Sequence, residues 1–395
     1  LKPFIVGVGR AGCRIGDLFL KESTGRVSMT GLLVDSEASE LAFYPHRERF
    51  LLGKNILDGN GTGKDVKIGR EAMEADRYAI VEHMDRIKSS MDAIFVVAGL
   101  GGGTGGAVDI LIEELRKSYV EPVYCIGILP SVEDPERITM NFADQFKAIV
   151  SNSHAVFPID NDGLKRVNLH GSFNTINREI LRHFQNLFEV GEYRSREELG
   201  ENVIGSSDII NTLNGVSSIG IGSMDVSGGG GLFGRRQEGV DKPGVVVSLT
   251  EEATEKMLFD FHVEAAQKAL AVVSGPRKYL DFLGSIPARL WLEKRIEGCE
   301  VRGGDMPSPR KRQMEVTLVL SGIRKSERIR HLYHLGKMLR KRGGYSEDLT
   351  RIFERMRVLN VSIQQLEKDF KEIFEDVKGL ARNDREEKTE EGNLT

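Results

Sequence analysis

With 395 residues, 44 of them glycine, and a formal net charge of −4, the chain has room for two domains and a sizeable core, but no overall basic field to hold nucleic acid. Arg310-Lys311-Arg312, after a Pro-Ser-Pro loop, reads as a solvating patch, and Cys13, Cys125 and Cys299 share no metal-like spacing, as befits a reducing cytoplasm. No apolar stretch reaches the ~20 residues of a membrane span, and the start, LKPFIVGVGR, reads as a strand entering a turn rather than a signal peptide, so a soluble chain is expected.

The first half alternates short apolar runs with helical patterns. Strands are expected at Phe4–Val8, Leu32–Asp35, Ala93–Ala98, Val123–Ile128 and Ala155–Ile159, with helices such as Ile68–Arg86 and Ala107–Arg116 between them. Strands without polar alternation, separated by helices, define an α/β fold with a parallel sheet covered on both faces. Ligands of such sheets bind where loops converge at the carboxyl ends of the strands. Phe173–Phe188 reads as a helix, and a loop around Gly205 leads into a second, smaller α+β region. There the run Gly228–Gly231 reads as a surface loop; a helix is expected near Thr254–Val273 and strands at Arg289–Glu293 and Met314–Ser321. From Ser326 the pattern is helical again, is broken at Gly343-Gly344 and restarts near Ser346. Apolar residues from Leu349 to Leu380 then recur at steps of three and four, a heptad stripe for packing on its own domain or on a partner. The charged end, Asn383–Thr395, is expected to be disordered.

Two glycine clusters carry the chemistry. Gly7-Val8-Gly9-Arg10-Ala11-Gly12 lies between a strand and a helix and satisfies the dinucleotide fingerprint G-x-G-x-x-G. Alone it is compatible with a nicotinamide or flavin enzyme, another nucleotide site, or plain packing. Gly99-Leu100-Gly101-Gly102-Gly103-Thr104-Gly105-Gly106 holds six glycines in eight residues, again between a strand and a helix. Such a segment makes a poor helix or strand interior, and its amides suit phosphate oxygens. A dinucleotide needs one such loop; a triphosphate can use two. The chain has no G-x-x-x-x-G-K-[ST], so a P-loop site is not expected.

Gly101–Gly106, GGGTGG, resembles the signature loop GGGTGSG of the tubulin/FtsZ superfamily, with Gly106 and Ala107 in place of Ser and Gly. The resemblance extends over almost the whole chain and implies a GTP- and GDP-binding, Mg²⁺-dependent GTPase that assembles with itself head to tail. It implies that Gly9, Arg10, Ala11, Gly12 and Arg14 form a first phosphate loop. Asp35 and Glu37, in a segment similar to tubulin's VDLE, would approach Mg²⁺, mainly through water; otherwise they cap the next helix. Gly61, Thr62 and Gly63, in the run Gly61-Thr62-Gly63-Lys64-Asp65 with Ile68-Gly69-Arg70, resemble the γ-phosphate loop of FtsZ, and Gly101, Gly102, Gly103, Thr104, Gly105 and Gly106 are the signature itself. Glu133 and Arg137 resemble the ribose-contacting loop, and Glu136 is an alternative to Glu133. Asn161 matches the guanine-binding asparagine of the IPND segment, and otherwise makes an Asx turn. Phe173 and Asn177, four apart on one helix face, match the residues that stack on and read the base; Phe173 is otherwise a core aromatic.

In this superfamily the neighbouring subunit completes the site. The corresponding loop here is Asn202–Thr212, in which Asp208 stands for the catalytic carboxylate or caps a helix, while Gly205 stands where FtsZ has another aspartate. The resemblance divides the chain into a GTP-binding domain (1–172), a central helix (173–190), an α+β assembly domain (191–324), a C-terminal helical hairpin (325–382) available to protein partners, and a tail (383–395). The mixture of tubulin-like and FtsZ-like features most resembles CetZ, the archaeal tubulin-like family associated with cell shape. An FtsZ-like division GTPase, a filament protein that does not hydrolyse its nucleotide, and a Rossmann-type NAD(P) oxidoreductase are the alternatives.

Overall fold

The computed structural model describes residues 1–22, 26–167, 173–193, 195–226, 242–280, 284–307 and 312–341. The run Gly228–Gly231, the heptad stripe Leu349–Leu380 and the tail Asn383–Thr395 lie outside the described residues.

β1 (Pro3–Val8) runs directly into α1 (Gly9–Lys21), and β2 (Thr30–Asp35) into the one-turn α2 (Ala38–Leu41). The short β3 (Arg49–Leu51) and α3 (Lys54–Leu57) lead to α4 (Val66–Ile87), which starts at Asp65, whose carboxylate accepts from Lys67 N at 2.9 Å as an N-cap. β4 (Ala93–Gly99), α5 (Val108–Ser118), β5 (Val123–Ile128), α6 (Glu136–Asn152), β6 (Ala155–Ile159) and α7 (Asn161–Val167) continue the alternation. After α8 (Phe173–Glu189) and α9 (Ser206–Thr212), β7 (Gly215–Val216) returns to the sheet beside β6.

These seven strands form one parallel sheet in the order β3-β2-β1-β4-β5-β6-β7. The order reverses at the β1–β4 pair, because the chain winds to one side from β1 and returns on its other side. Loops leaving the carboxyl ends of such a pair diverge and open a crevice. Both faces are covered, which explains the unbroken apolar runs. Phe4, Val6 and Val8 pack in one core with residues of α4, α5 and α6. Ile5, Phe95 and Val97 point the other way, into a core shared with Phe19 of α1 and with Phe184 and Phe188 of α8.

The second region builds a four-stranded sheet from β8 (Ser218–Asp225), β9 (Lys268–Gly275), β10 (Glu300–Pro307) and β11 (Gln313–Ser321), in the order β10-β9-β11-β8. With it are α10 (Lys242–Glu255), α11 (Arg277–Leu280) and α12 (Ile286–Arg295). α8 joins the two sheets. Its rings meet Phe95 and Phe157 at centroid distances of 4.9 and 5.1 Å, and the same core includes Leu270, Val272 and Val319 of the second sheet. Each ring pair adds about 0.5–1.5 kcal/mol beyond area burial. α13 (Glu327–Lys341) turns back onto α6, where Gly336 lets the backbones close: a Cβ there would lie 2.4 Å from the carbonyl oxygen of Thr139. Lys337 and Arg340 pair with Asp144 along this contact.

Two expectations for this region are corrected. Arg289–Glu293 is not a strand but the middle of α12, which begins with Pro287 in its first turn and is built from good helix formers. The helix near Thr254–Val273 in fact ends at Glu255, and Lys268–Gly275 is a strand. KALAVVSG is buried along nearly all its length between two cores, so its continuous apolar character is that of a fully covered strand. Of the C-terminal hairpin, α13 is described and the second helix lies outside the described residues.

Candidate nucleotide site

A cleft of about 690 Å³ opens at the carboxyl ends of β1 and β4, within the size range of cofactor sites. Its floor is made where the two glycine loops touch. Gly9 has φ +70°, in the left-handed region, and a Cβ there would lie 3.2 Å from Gly105 N. Gly9, Arg10, Ala11 and Arg14 line one wall, and Gly102, Gly103, Thr104 and Gly105 the facing one. α1 starts at Gly9 without a side-chain cap, so its first amides remain available to a ligand. Gly12, Gly101 and Gly106 are not part of the lining but allow close packing behind it: a Cβ on Gly12 would lie 2.1 Å from Val97 O, and one on Gly101 2.2 Å from Ile138 O.

The third loop closes the glycine-lined end with Gly61, Thr62 and Gly63, and adds Lys64. Lys64, which follows them in the same loop, holds φ +64° and brings a cation to the lining. Arg10 and Arg14 are already paired, Arg10 with Glu37 at 2.8 Å and Glu40 at 2.9 Å, Arg14 with Glu40 at 3.3 Å. An anion in the cleft competes with these carboxylates for the same guanidinium groups.

Asp35 ends β2 at the cleft wall and is 4% exposed. Its Oδ1 accepts from Ser36 N at 2.7 Å and Glu37 N at 3.3 Å. Burial pushes its pKa up from 3.8 to about 6; those two amides pull against the rise, and Glu40 and Glu37 reinforce it. Beside it the hydroxyls of Ser36 and Thr104 meet at 2.8 Å. Because the folded state holds this proton to about pH 6 and an unfolded chain releases it near 4, the group's stabilising contribution is complete at about pH 4 and lost as pH rises through about 6. Asp35→Asn should therefore stabilise the nucleotide-free protein by about 1–3 kcal/mol at pH 7.5 and hardly at pH 4. Urea unfolding at both values checks this; an equal shift at both would refute it.

The other end of the cleft is formed by the loops after β5 and β6. Glu133 and Asn161 line it, as does Asn177 from α8. Asn161 Oδ1 is buried and has no hydrogen-bond partner among the described residues. Phe173 is the first residue of α8; its side chain lies outside what the structure describes. Arg137 does not line this cleft. It pairs with Asp65 at 2.6 Å and faces a smaller cavity beside it, because the N-cap carboxylate of α4 is the nearer anion. Asp208 is also absent from the lining of its own chain's cleft. It is the third residue of α9, not the cap: Gly205 takes that place and donates its N–H to Asp208 Oδ2 at 3.0 Å, while Arg302 holds Oδ1 at 2.8 Å.

A glycine-cradled cleft at the switch point of a parallel sheet, joined through a long helix to a mixed sheet, is the architecture of a tubulin/FtsZ-type protein. The sequence model of the Tubulin/FtsZ family, GTPase domain, matches residues 3–168, and that of Tubulin-like CetZ, C-terminal domain, matches residues 167–337. Tubulin-like protein CetZ1 of Haloferax volcanii is 33% identical over 359 residues, covering 84% of this chain and 91% of the relative. Among solved structures, the GDP-bound monomer of H. volcanii CetZ1 superposes with a TM-score of 0.74 at 30% identity, covering 86% of this chain and all (100%) of that one. The GTPγS-bound protofilament of H. volcanii CetZ2 gives 0.75 at 26% identity, covering 87% and 100%. The chain belongs to the tubulin-like CetZ family and is a GTPase. That membership removes the oxidoreductase alternative, which shared the first glycine loop and the sheet order.

Proposed function

We propose that this chain binds GTP across the β1–β4 cleft, assembles head to tail into protofilaments, and hydrolyses the nucleotide with Asp208 of the next subunit. The observation that carries the reading is the contact of the two glycine loops at Gly9 and Gly105, which makes one cradle with two amide-lined sides. Two such sides suit the charge of a triphosphate. The relatives' structures support it, since CetZ1 was solved with GDP and CetZ2 as a GTPγS-bound protofilament.

The amides of Gly9 to Ala11 and Gly102 to Gly105 would hold the phosphates, with Arg10, Arg14 and Lys64 adding positive charge. Glu133 would meet the ribose, and Asn161 and Asn177 the guanine edge, with Phe173 stacking on the ring. The orphaned Oδ1 of Asn161 suits the N–H donors that guanine presents. Arg137 would join the ribose only by exchanging Asp65 for it.

The donor set beside Asp35 fits Mg²⁺ held mostly through water: one buried carboxyl, made unusually basic by burial, next to the hydroxyls of Ser36 and Thr104. Glu37 would join it on release from Arg10. Bound there, the ion would neutralise phosphate charge. The remaining catalysis is positioning. Asp208, turned outward from its own cleft and fixed by Gly205 and Arg302, would orient the attacking water on the neighbour's γ-phosphate. Gly205 leaves this task to a single carboxylate. Following the family association, we assign the polymer to the cytoplasm and to control of cell shape.

A shared site has a kinetic signature. Phosphate release per chain should rise steeply with protein concentration, in step with GTP-dependent filaments in negative stain. Constant turnover per chain across a hundredfold dilution would overturn the reading.

A further inference from the structure

Arg328, in the first turn of α13, reaches away from its own region to the base end of the cleft. Its side chain is only 14% exposed. Nη2 donates to Pro130 O at 3.0 Å and to Asp162 Oδ2 at 2.8 Å, and lies 3.1 Å from Asp160 Oδ1. Asp160 and Asp162 flank Asn161, so one guanidinium is hydrogen-bonded on one side of that residue and ion-paired on the other.

Asp162 extends the grip to the neighbouring loop. It accepts from Ser131 Oγ at 2.5 Å and Val132 N at 2.9 Å, and Ser131, like Asn161, lines the cleft. The loops after β5 and β6 are therefore tied to one another through Asp162 and to α13 through Arg328. Asp160 is 1% exposed, and nearby buried carboxylates repel one another unless a cation lies between them. Arg328 supplies that cation. Without it the two aspartates relieve their repulsion by separating or by one taking up a proton, and either changes what holds Asn161 in place.

We infer that Arg328 is a positioning residue for base selectivity, holding the Asn161 amide at the angle at which it meets a guanine edge. This rests on the proposed role of Asn161 and goes beyond it, because the grip comes from the C-terminal region. A rigidly aimed amide discriminates between bases, whereas a loosely held one binds purines with less distinction.

The test measures the affinity of the full chain for GTP and for ITP, which lacks the 2-amino group, by calorimetric titration. Arg328→Met should weaken GTP about tenfold, leave ITP nearly unchanged, and bring the GTP-to-ITP ratio close to one. Arg328→Lys keeps the charge on a side chain that ends in an ammonium rather than at Nη2, and should fall between. Asn161→Ala should abolish the ratio on its own, and Arg328→Met added to it should lower it no further. A merely structural role for Arg328 would lower the melting temperature and weaken both nucleotides equally. If Arg328→Met does not fold, Arg328→Lys and Asp162→Asn carry the comparison, and either should reduce the ratio. Retention of the parental ratio in the Arg328 variants, with its loss in Asn161→Ala, would overturn this inference alone. An unchanged ratio in Asn161→Ala would overturn the role of Asn161 and this inference with it.

Discussion

Asp208→Ala should lower GTP turnover about 100-fold, leave GTP affinity within about twofold, and lengthen the life of filaments. The separation of binding from turnover follows from geometry. Asp208 lines no part of its own chain's cleft, so its loss removes nothing that touches the bound nucleotide of that chain. The fold should tolerate the change. What is lost locally is a carboxylate accepting from Gly205 N, plus a partly exposed pair with Arg302. An N-terminal helix contact of this kind is worth about 1 kcal/mol, and an exposed ion pair less. Since Gly205 offers no second carboxylate, the effect on turnover should be undiluted. Fluorescent-nucleotide binding and phosphate release on the same preparation check both halves. Unchanged turnover, or loss of both properties together, would contradict the assignment.

Gly9→Val should weaken GTP at least 100-fold, about 2.7 kcal/mol. Two penalties combine. A β-branched residue at φ +70° is strained, and its Cβ would press on Gly105 N at 3.2 Å, forcing apart the loops that form the cleft floor. Relief requires the start of α1 or the turn at Gly105 to move, and either removes amides from the phosphates. The titration should show this loss while circular dichroism keeps its helical signal. Parental affinity would mean that the contact between the loops is incidental.

The N-terminal half was legible in the sequence because its strands are buried on both faces. Val123–Ile128 and Ala155–Ile159 were readable to the residue, and the other expected strands differ from the observed ones by one or two residues. That the two glycine loops would share one cleft was legible for a related reason: both lie between a strand and a helix, where loops of a parallel sheet converge. The second region was harder. KALAVVSG is short and apolar and IPARLWLEKR short and mixed, and over such lengths periodicity does not separate strand from helix; Pro287 was the usable signal for α12. Arg328 was not legible. It acts through carboxylates more than 160 positions away. Arg137 shows the same limit in reverse, since a resemblance placed it at the ribose and a local N-cap carboxylate holds it elsewhere.

The central claim is that both glycine loops hold one guanosine triphosphate together. Amide hydrogen exchange on the full chain, with and without one equivalent of GTP, tests it most directly. Exchange should slow at Gly9, Arg10 and Ala11 and at Gly102 to Gly105 in parallel, over the same range of nucleotide concentration. Slowing confined to one loop, or obtained with NAD and not with GTP, would contradict it.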